Sequence, residues 1–143
     1  QFILRRMAFT SPGGRNFACA PDVADAMVSA LEKGKSGECY IAGGRNMSYI
    51  DFFSRVADIA GGMKPPRVVL PASAIRACGA AASVWGRVCG RRARFNYTMA
   101  RLSVLGTYYS SQKSIRELDM PQTPIETAIE DAIGSLKHYG HIA

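Results

Sequence analysis

The feature that most constrains this chain is the recurrence of apolar residues at helical spacing, cut into separate lengths by glycine and proline. Val23, Ala26, Met27, Ala30 and Leu31 fall at i, i+3, i+4, i+7 and i+8, one face of a helix packed on a core. Asp22 stands where a carboxylate caps such a helix, and Lys33 with Gly34 closes it. Tyr49, Phe52, Phe53, Val56, Ala57 and Ala60 form a second stripe, opened by the capping-box-like Ser48-Tyr49-Ile50-Asp51 and ended by Gly61-Gly62. Ile125, Ala128, Ile129, Ala132, Ile133 and Leu136 form a third. There Thr123 is the expected cap, Pro124 the first helical residue and Glu126 the box glutamate.

Between these stripes the pattern shortens. Glu38-Cys39-Tyr40-Ile41-Ala42, set between Gly37 and Gly43-Gly44, predicts a strand, and Arg67-Val68-Val69-Leu70, between prolines, predicts a second one at a sheet edge. Pro12-Gly13-Gly14 predicts a turn before the apolar run of residues 16–20. Residues 72–89 predict a long small-residue helix, its apolar run from Ala77 to Trp85 buried. Shorter helices are predicted over 97–105 and 112–118, with an extended piece at Thr107-Tyr108-Tyr109 between them. The expectation is one α/β unit, rich in helix, with two or three short strands.

At 143 residues the chain is long enough for one domain and hardly for two. A domain of about 150 residues buries roughly 68–70% of its unfolded surface, so the core needs no staples. No apolar run reaches the roughly 18 residues of a membrane span, so no membrane partner is expected, and a cytoplasmic setting is. Cys19, Cys39, Cys78 and Cys89 stand apart and read as reduced thiols filling core space. The formal charge of +7 favours an anionic partner, and much of it is local, in Arg87, Arg91, Arg92, Arg94 and Arg101.

Chemistry-bearing patterns are few. His138 and His141 lie near the end without a carboxylate cluster, and the pairs Asp22/Asp25 and Glu130/Asp131 read as solvated helix faces; neither a catalytic residue nor a metal site is expected. Arg15 and Asn16 follow a glycine turn and could aim polar groups into a cleft at a sheet edge. Arg87 and Arg91 open a cluster whose guanidinium forks suit a diphosphate. Tyr109 and Lys113 have the Tyr-x-x-x-Lys spacing of a tyrosine acid and its lysine helper. That chemistry needs both on one helical face, and Ser110 or Ser111 caps the helix after Tyr109. The spacing is a decoy.

A series of segments, in order, carries a likeness. Gly13-Gly14-Arg15-Asn16-Phe17 with Asp22-Val23-Ala24-Asp25-Ala26 is similar to "G-G-x-N-F-V-x-V-x-D-V-A-x-A", Ala20-Pro21 being a departure. Lys33 to Gly44 resembles "K-G-x-x-G-E-x-Y-I-x-G-G". Asn46-Met47-Ser48-Tyr49 and Leu70-Pro71 precede helices as they should, and Ser111 to Leu118 resembles "S-x-K-A-x-R-E-L-G", with Asp119 in place of the glycine. Thr123-Pro124-Ile125-Glu126 then opens the last helix. Together they resemble the C-terminal part of extended and atypical short-chain dehydrogenase/reductases, the NAD(P)-dependent epimerase/dehydratase group with its dihydroflavonol-reductase-like members.

The resemblance implies that residues 1–143 are the C-terminal substrate-binding region, with the N-terminal Rossmann cofactor domain absent. The family's catalytic tyrosine and lysine, and the glycine turn that seats the pyrophosphate, lie upstream of every residue here. No cofactor is then expected on this chain, although NAD(P) is expected in the full-length protein. The implied function is the substrate side of a sugar-nucleotide epimerase/dehydratase or ketone reductase, inactive by itself, with Arg15 where related epimerases hold a diphosphate. The implied partners are the chain's own Rossmann domain, a small molecule such as a sugar nucleotide, and a second copy, because helix faces meant for the missing half stay uncovered. Two alternatives stay open: a stand-alone binding or regulatory module of the same fold, and a basic nucleic-acid-binding domain. The second rests on charge alone, without interleaved aromatics or a recognition helix.

Overall fold

The computed structural model describes residues 9–61, 64–90 and 96–140. Their elements run β1 (Phe9–Thr10), β2 (Gly14–Phe17), α1 (Ala20–Lys33), β3 (Arg45–Ser48), α2 (Tyr49–Ala60), β4 (Val68–Val69), α3 (Ala72–Val88), α4 (Tyr97–Val104), β5 (Gly106–Thr107), α5 (Gln112–Leu118) and α6 (Ile125–His138). This is the helix-rich α/β arrangement the patterning predicts, with more strands and shorter ones. β1 pairs with β4 in parallel. In the other sheet β2 is central, antiparallel to β3 and parallel to β5, with Asn16 opposite Asn46.

The core lies where α2 and α6 meet over this second sheet. Met47, Val56, Ala57, Ile125, Ile129 and Ile133 are buried there, and Phe17, Phe52 and Phe53 pack against them. The three isoleucines recur every fourth residue and so share one face of α6. Each contributes about 1.5–3 kcal/mol relative to exposure. Phe17 and Phe52 stack with ring centroids 3.9 Å apart, joining sheet to helix. α3 meets α4 through Gly79, where a Cβ would run into Ala100 and lie 3.1 Å from the Asn96 carbonyl. That close approach is why the small-residue helix needs its glycine.

Caps agree in one place and move in two. Ser48 caps α2, its hydroxyl accepting from the Asp51 N–H at 3.2 Å. α1 begins at Ala20, earlier than expected, because Pro21 suits a first helical turn and has no N–H to leave unpaired. Asp22 is therefore inside the helix and buried, neither cap nor solvated face. It accepts from Thr123 instead, from the N–H at 2.8 Å and the hydroxyl at 2.6 Å. Thr123, so engaged, does not cap α6; Pro124 occupies the cap position and Glu126 pairs with Arg55.

Three expectations about burial fail. Met27 is 65% exposed and Leu31 88%, so the predicted inner face of α1 is bare at its two largest residues, with Ala26 buried and Val23 and Ala30 half-buried. Cys19 alone of the cysteines is buried; all four are free thiols. The apolar run of α3 is exposed at Val84 and Trp85. Helical periodicity groups residues on one face, but only a second surface can bury it.

The strand expected over residues 38–42 is absent. No neighbouring strand pairs with the segment among the described residues. One edge is satisfied by side chains: the carbonyls of Cys39, Ile41 and Gly43 accept from Lys113 Nζ (3.0 Å), Ser114 Oγ (2.7 Å) and Gln122 Nε2 (3.3 Å). On the other edge, no hydrogen bond joins the main chain of Tyr40 or Ala42 to a described residue. Alternate residues of an extended chain point their main-chain groups to opposite edges. This one has a filled edge and an open edge.

Candidate functional site

The open edge borders a cleft of about 530 Å³ lined by Arg15, Asn16, Ile41, Ala42, Gly43, Thr107 and Tyr109. The β2–β5 pairing sets Arg15 beside Thr107, and the β2–β3 pairing sets Asn16 beside Asn46. Asn16 is spent within the chain. Its Nδ2 donates to the Gly44 carbonyl at 3.0 Å and to Asn46 Oδ1 at 2.8 Å, while its Oδ1 accepts from the Gly44 N–H at 2.9 Å. Asn46 in turn holds the main chain of Tyr109, donating to its carbonyl at 2.9 Å and accepting from its N–H at 3.2 Å. The two asparagines thus clip three segments into one wall. A Cβ on Gly43 would sit 2.8 Å from Asn16 Oδ1, so this clip requires a glycine there.

Arg15 differs. It is exposed, with no ion pair among the described residues. Its guanidinium is the charge among the residues lining the cleft, where the Thr107 hydroxyl donates to the Gly14 carbonyl at 3.3 Å. Arg87 stands in the last turn of α3 and does not line the cleft; Arg91 lies outside the described residues. Thr107, Tyr109 and the clipping role of Asn46 escape sequence reasoning, since only strand register brings them to Arg15.

Ser111 holds the cap position of α5, as the spacing argument expects. Tyr109 precedes α5, whereas Lys113 within it pairs with Glu38 at 2.6 Å and lies 4.3 Å over the Tyr40 ring. The hydrogen bond to Glu38 holds the ammonium's pKa above its usual value. Beside it Glu117 is held below the usual carboxylate range, first by the hydrogen bond from Lys35 at 3.2 Å and then by the Tyr40 hydroxyl at 3.1 Å.

A second hollow, of about 520 Å³, lies between β1, β4, α2 and α3 and is almost wholly apolar, with Phe9, Tyr49, Phe53, Leu70 and Ile75 among its walls. No group of histidine, cysteine and carboxylate side chains able to hold a metal occurs among the described residues. The glycine pairs do not fit a dinucleotide. A Cβ at Gly13 or Gly14 would strike Ser103, Tyr108 and Met47, and one at Gly44 would strike Phe17. Both pairs lead into strands rather than into the amide end of a helix, where a pyrophosphate sits.

No protein-family model matches the chain. It is 25% identical over 146 aligned residues to "Putative dihydroflavonol 4-reductase" of Synechocystis sp., covering 99% of this chain and 42% of that protein. It is 27% identical over 139 residues to "Sterol demethylase protein B" of Methylococcus capsulatus, covering 96% and 42%. Among solved structures, gox2253 superposes with a TM-score of 0.77 at 33% identity, over 96% of this chain and 41% of the other. The chain resembles part of a reductase-like protein. It spans about two fifths of the length of the proteins it matches. No helix among the described residues is long and apolar enough to cross a membrane.

Proposed function

We propose that this chain is the substrate-side portion of an NAD(P)-dependent reductase or epimerase/dehydratase, and that the Arg15 cleft receives the anionic or polar end of a small molecule. One observation carries the reading: a guanidinium with no ion pair among the described residues lies in a cleft bordered by main chain, at Tyr40 and Ala42, that has no hydrogen-bond partner among them. The edge at Tyr40 and Ala42 suits a parent sheet on the preceding part of the protein, and the bare face of α1 suits the same neighbour. The partial-length matches to reductase-like proteins support this assignment.

On this reading the chain's own work is binding and orientation. Arg15 offers a planar fork of donors to paired oxygens of a phosphate or carboxylate. Asn16 and Asn46 hold the wall so that the fork has a fixed backdrop. The dinucleotide and the proton donor belong to the partner domain, so no chemical step is assigned to residues here.

Titration of the chain with a uridine diphosphate sugar, followed by amide chemical shifts, tests the cleft. Shifts at Arg15, Gly43, Thr107 and Tyr109 that vanish in Arg15→Ala are the expected result. Micromolar binding of NADPH to the chain alone would overturn the reading. For the edge, the amides of Tyr40 and Ala42 should exchange fast in the isolated chain and slowly in the full-length gene product. Equal, fast exchange in both would favour a stand-alone module.

A further inference from the structure

α3 has two apolar faces, and only one is covered. At about 100° per residue, Ile75, Gly79, Ala82, Ser83 and Gly86 fall together on the side that meets α4, and all are buried or half-buried. Ser83 secures this side, its hydroxyl accepting from the Tyr97 N–H at 2.9 Å. On the opposite side Ala77, Ala80, Ala81, Val84, Trp85 and Val88 recur at i, i+3, i+4, i+7, i+8 and i+11, and every one is exposed. Trp85 is 71% exposed and Val88 77%, the bulk increasing toward the C-terminal end of the helix. An ordinary surface helix carries polar residues on its outer face.

The charge around this stripe has one sign. Arg76 and Arg87 are exposed on its flank, neither with an ion pair among the described residues. The sequence continues with Arg91, Arg92 and Arg94, and the only carboxylates between residues 59 and 116 would have to come from elsewhere, since that stretch contains no aspartate or glutamate. A tryptophan and valines bordered by arginines, in a stretch of sequence without a carboxylate, is the chemistry of a helix lying in a lipid headgroup layer.

We propose that the outer stripe of α3 rests on an anionic membrane surface, Trp85, Val84 and Val88 entering the headgroup boundary and Arg76 and Arg87 contacting lipid phosphates. This is contact with a surface, not a span: no helix among the described residues is long and apolar enough to cross a membrane. It does not depend on the substrate reading above.

The chain carries its own probe, because Trp85 is its one tryptophan. The 143-residue chain is mixed with vesicles of phosphatidylcholine alone or with phosphatidylglycerol added. Trp85 emission should shift to the blue and be quenched by brominated acyl chains with the anionic vesicles only, and salt should reverse the effect. Arg87→Glu, and separately Val84→Ser with Val88→Ser, should each weaken partitioning about tenfold while circular dichroism stays unchanged. Unchanged Trp85 emission with anionic vesicles overturns the proposal. So does a blue shift on concentrating the chain without lipid, which would mean that a second copy covers the stripe.

Discussion

Asp22 holds Thr123 by two hydrogen bonds, to its main-chain N–H and to its hydroxyl, across 101 positions of sequence. The buried carboxylate ties the first turn of α1 to the residue that leads into α6. Sheet, α1 and the α2–α6 core are thereby fixed relative to one another, and the cleft wall inherits that rigidity.

Asp22→Ala should therefore destabilise the chain by about 1.5–3 kcal/mol, the range for hydrogen bonds to a charged group, because Thr123 is left half-buried with unmet donors. Thr123→Val should lose less, since its N–H keeps the carboxylate. Urea midpoints of the two variants, with their slopes compared, check the order.

Asn16 and Arg15 are neighbours in sequence with opposite expected phenotypes. Asn16→Leu removes the clip on Gly44 and Asn46 and should cost about 1–3 kcal/mol. Arg15→Ala should change stability by less than about 0.5 kcal/mol, as surface substitutions do, while abolishing anionic ligand binding. Thermal melts beside titrations separate the two effects; a stability loss in Arg15→Ala equal to that in Asn16→Leu would refute the division of labour.

At Gly79 the space for a side chain is already taken by Ala100. Gly79→Val should part α3 from α4 at a cost of about 1–3 kcal/mol, the usual range for overpacking. Ala81→Val, on the outer stripe, should be almost neutral. Hydrogen exchange of the Ala100 amide reports the loosening directly.

The Glu117 site makes stability fall on the acid side. Its folded pKa lies below the ordinary value of 4.5, so the stability it contributes is present above about pH 4.5 and is lost as pH falls through the depressed value. Lys113 acts at the other limit: with its pKa raised above 10.5, its contribution is present below that value and is lost as pH rises further. Glu117→Gln should flatten the acid limb of a plot of melting temperature against pH and disturb the alkaline limb far less, since Lys113 is held chiefly by its hydrogen bond to Glu38 and only in the last place by Glu117.

Much of the local structure was legible in order of residues alone. Ser48 with Asp51 marks a helix start by a bond three residues long, and Gly61, at φ +68°, marks its end; both follow from local stereochemistry. The stripe of Ile125, Ile129 and Ile133 is equally local, because a helix brings every fourth residue to one face whatever surrounds it. The Tyr109–Lys113 spacing could be dismissed for the same reason, since a cap at residue 110 or 111 excludes a shared helical face.

Tertiary structure decided which surface each pattern meets. α1 and α3 carry stripes as regular as that of α6, yet Leu31 and Trp85 stand in solvent because no described element reaches them. Residues 38–42 have strand composition but no strand, since a ladder needs a second main chain to accept its hydrogen bonds. Asp22 looked like a cap, and its partner proved to be a threonine near the far end of the chain. Periodicity and capping act over a few bonds and are written in the sequence; burial, register and long-range hydrogen bonds depend on what the folded chain places opposite, and only the assembled structure supplies that.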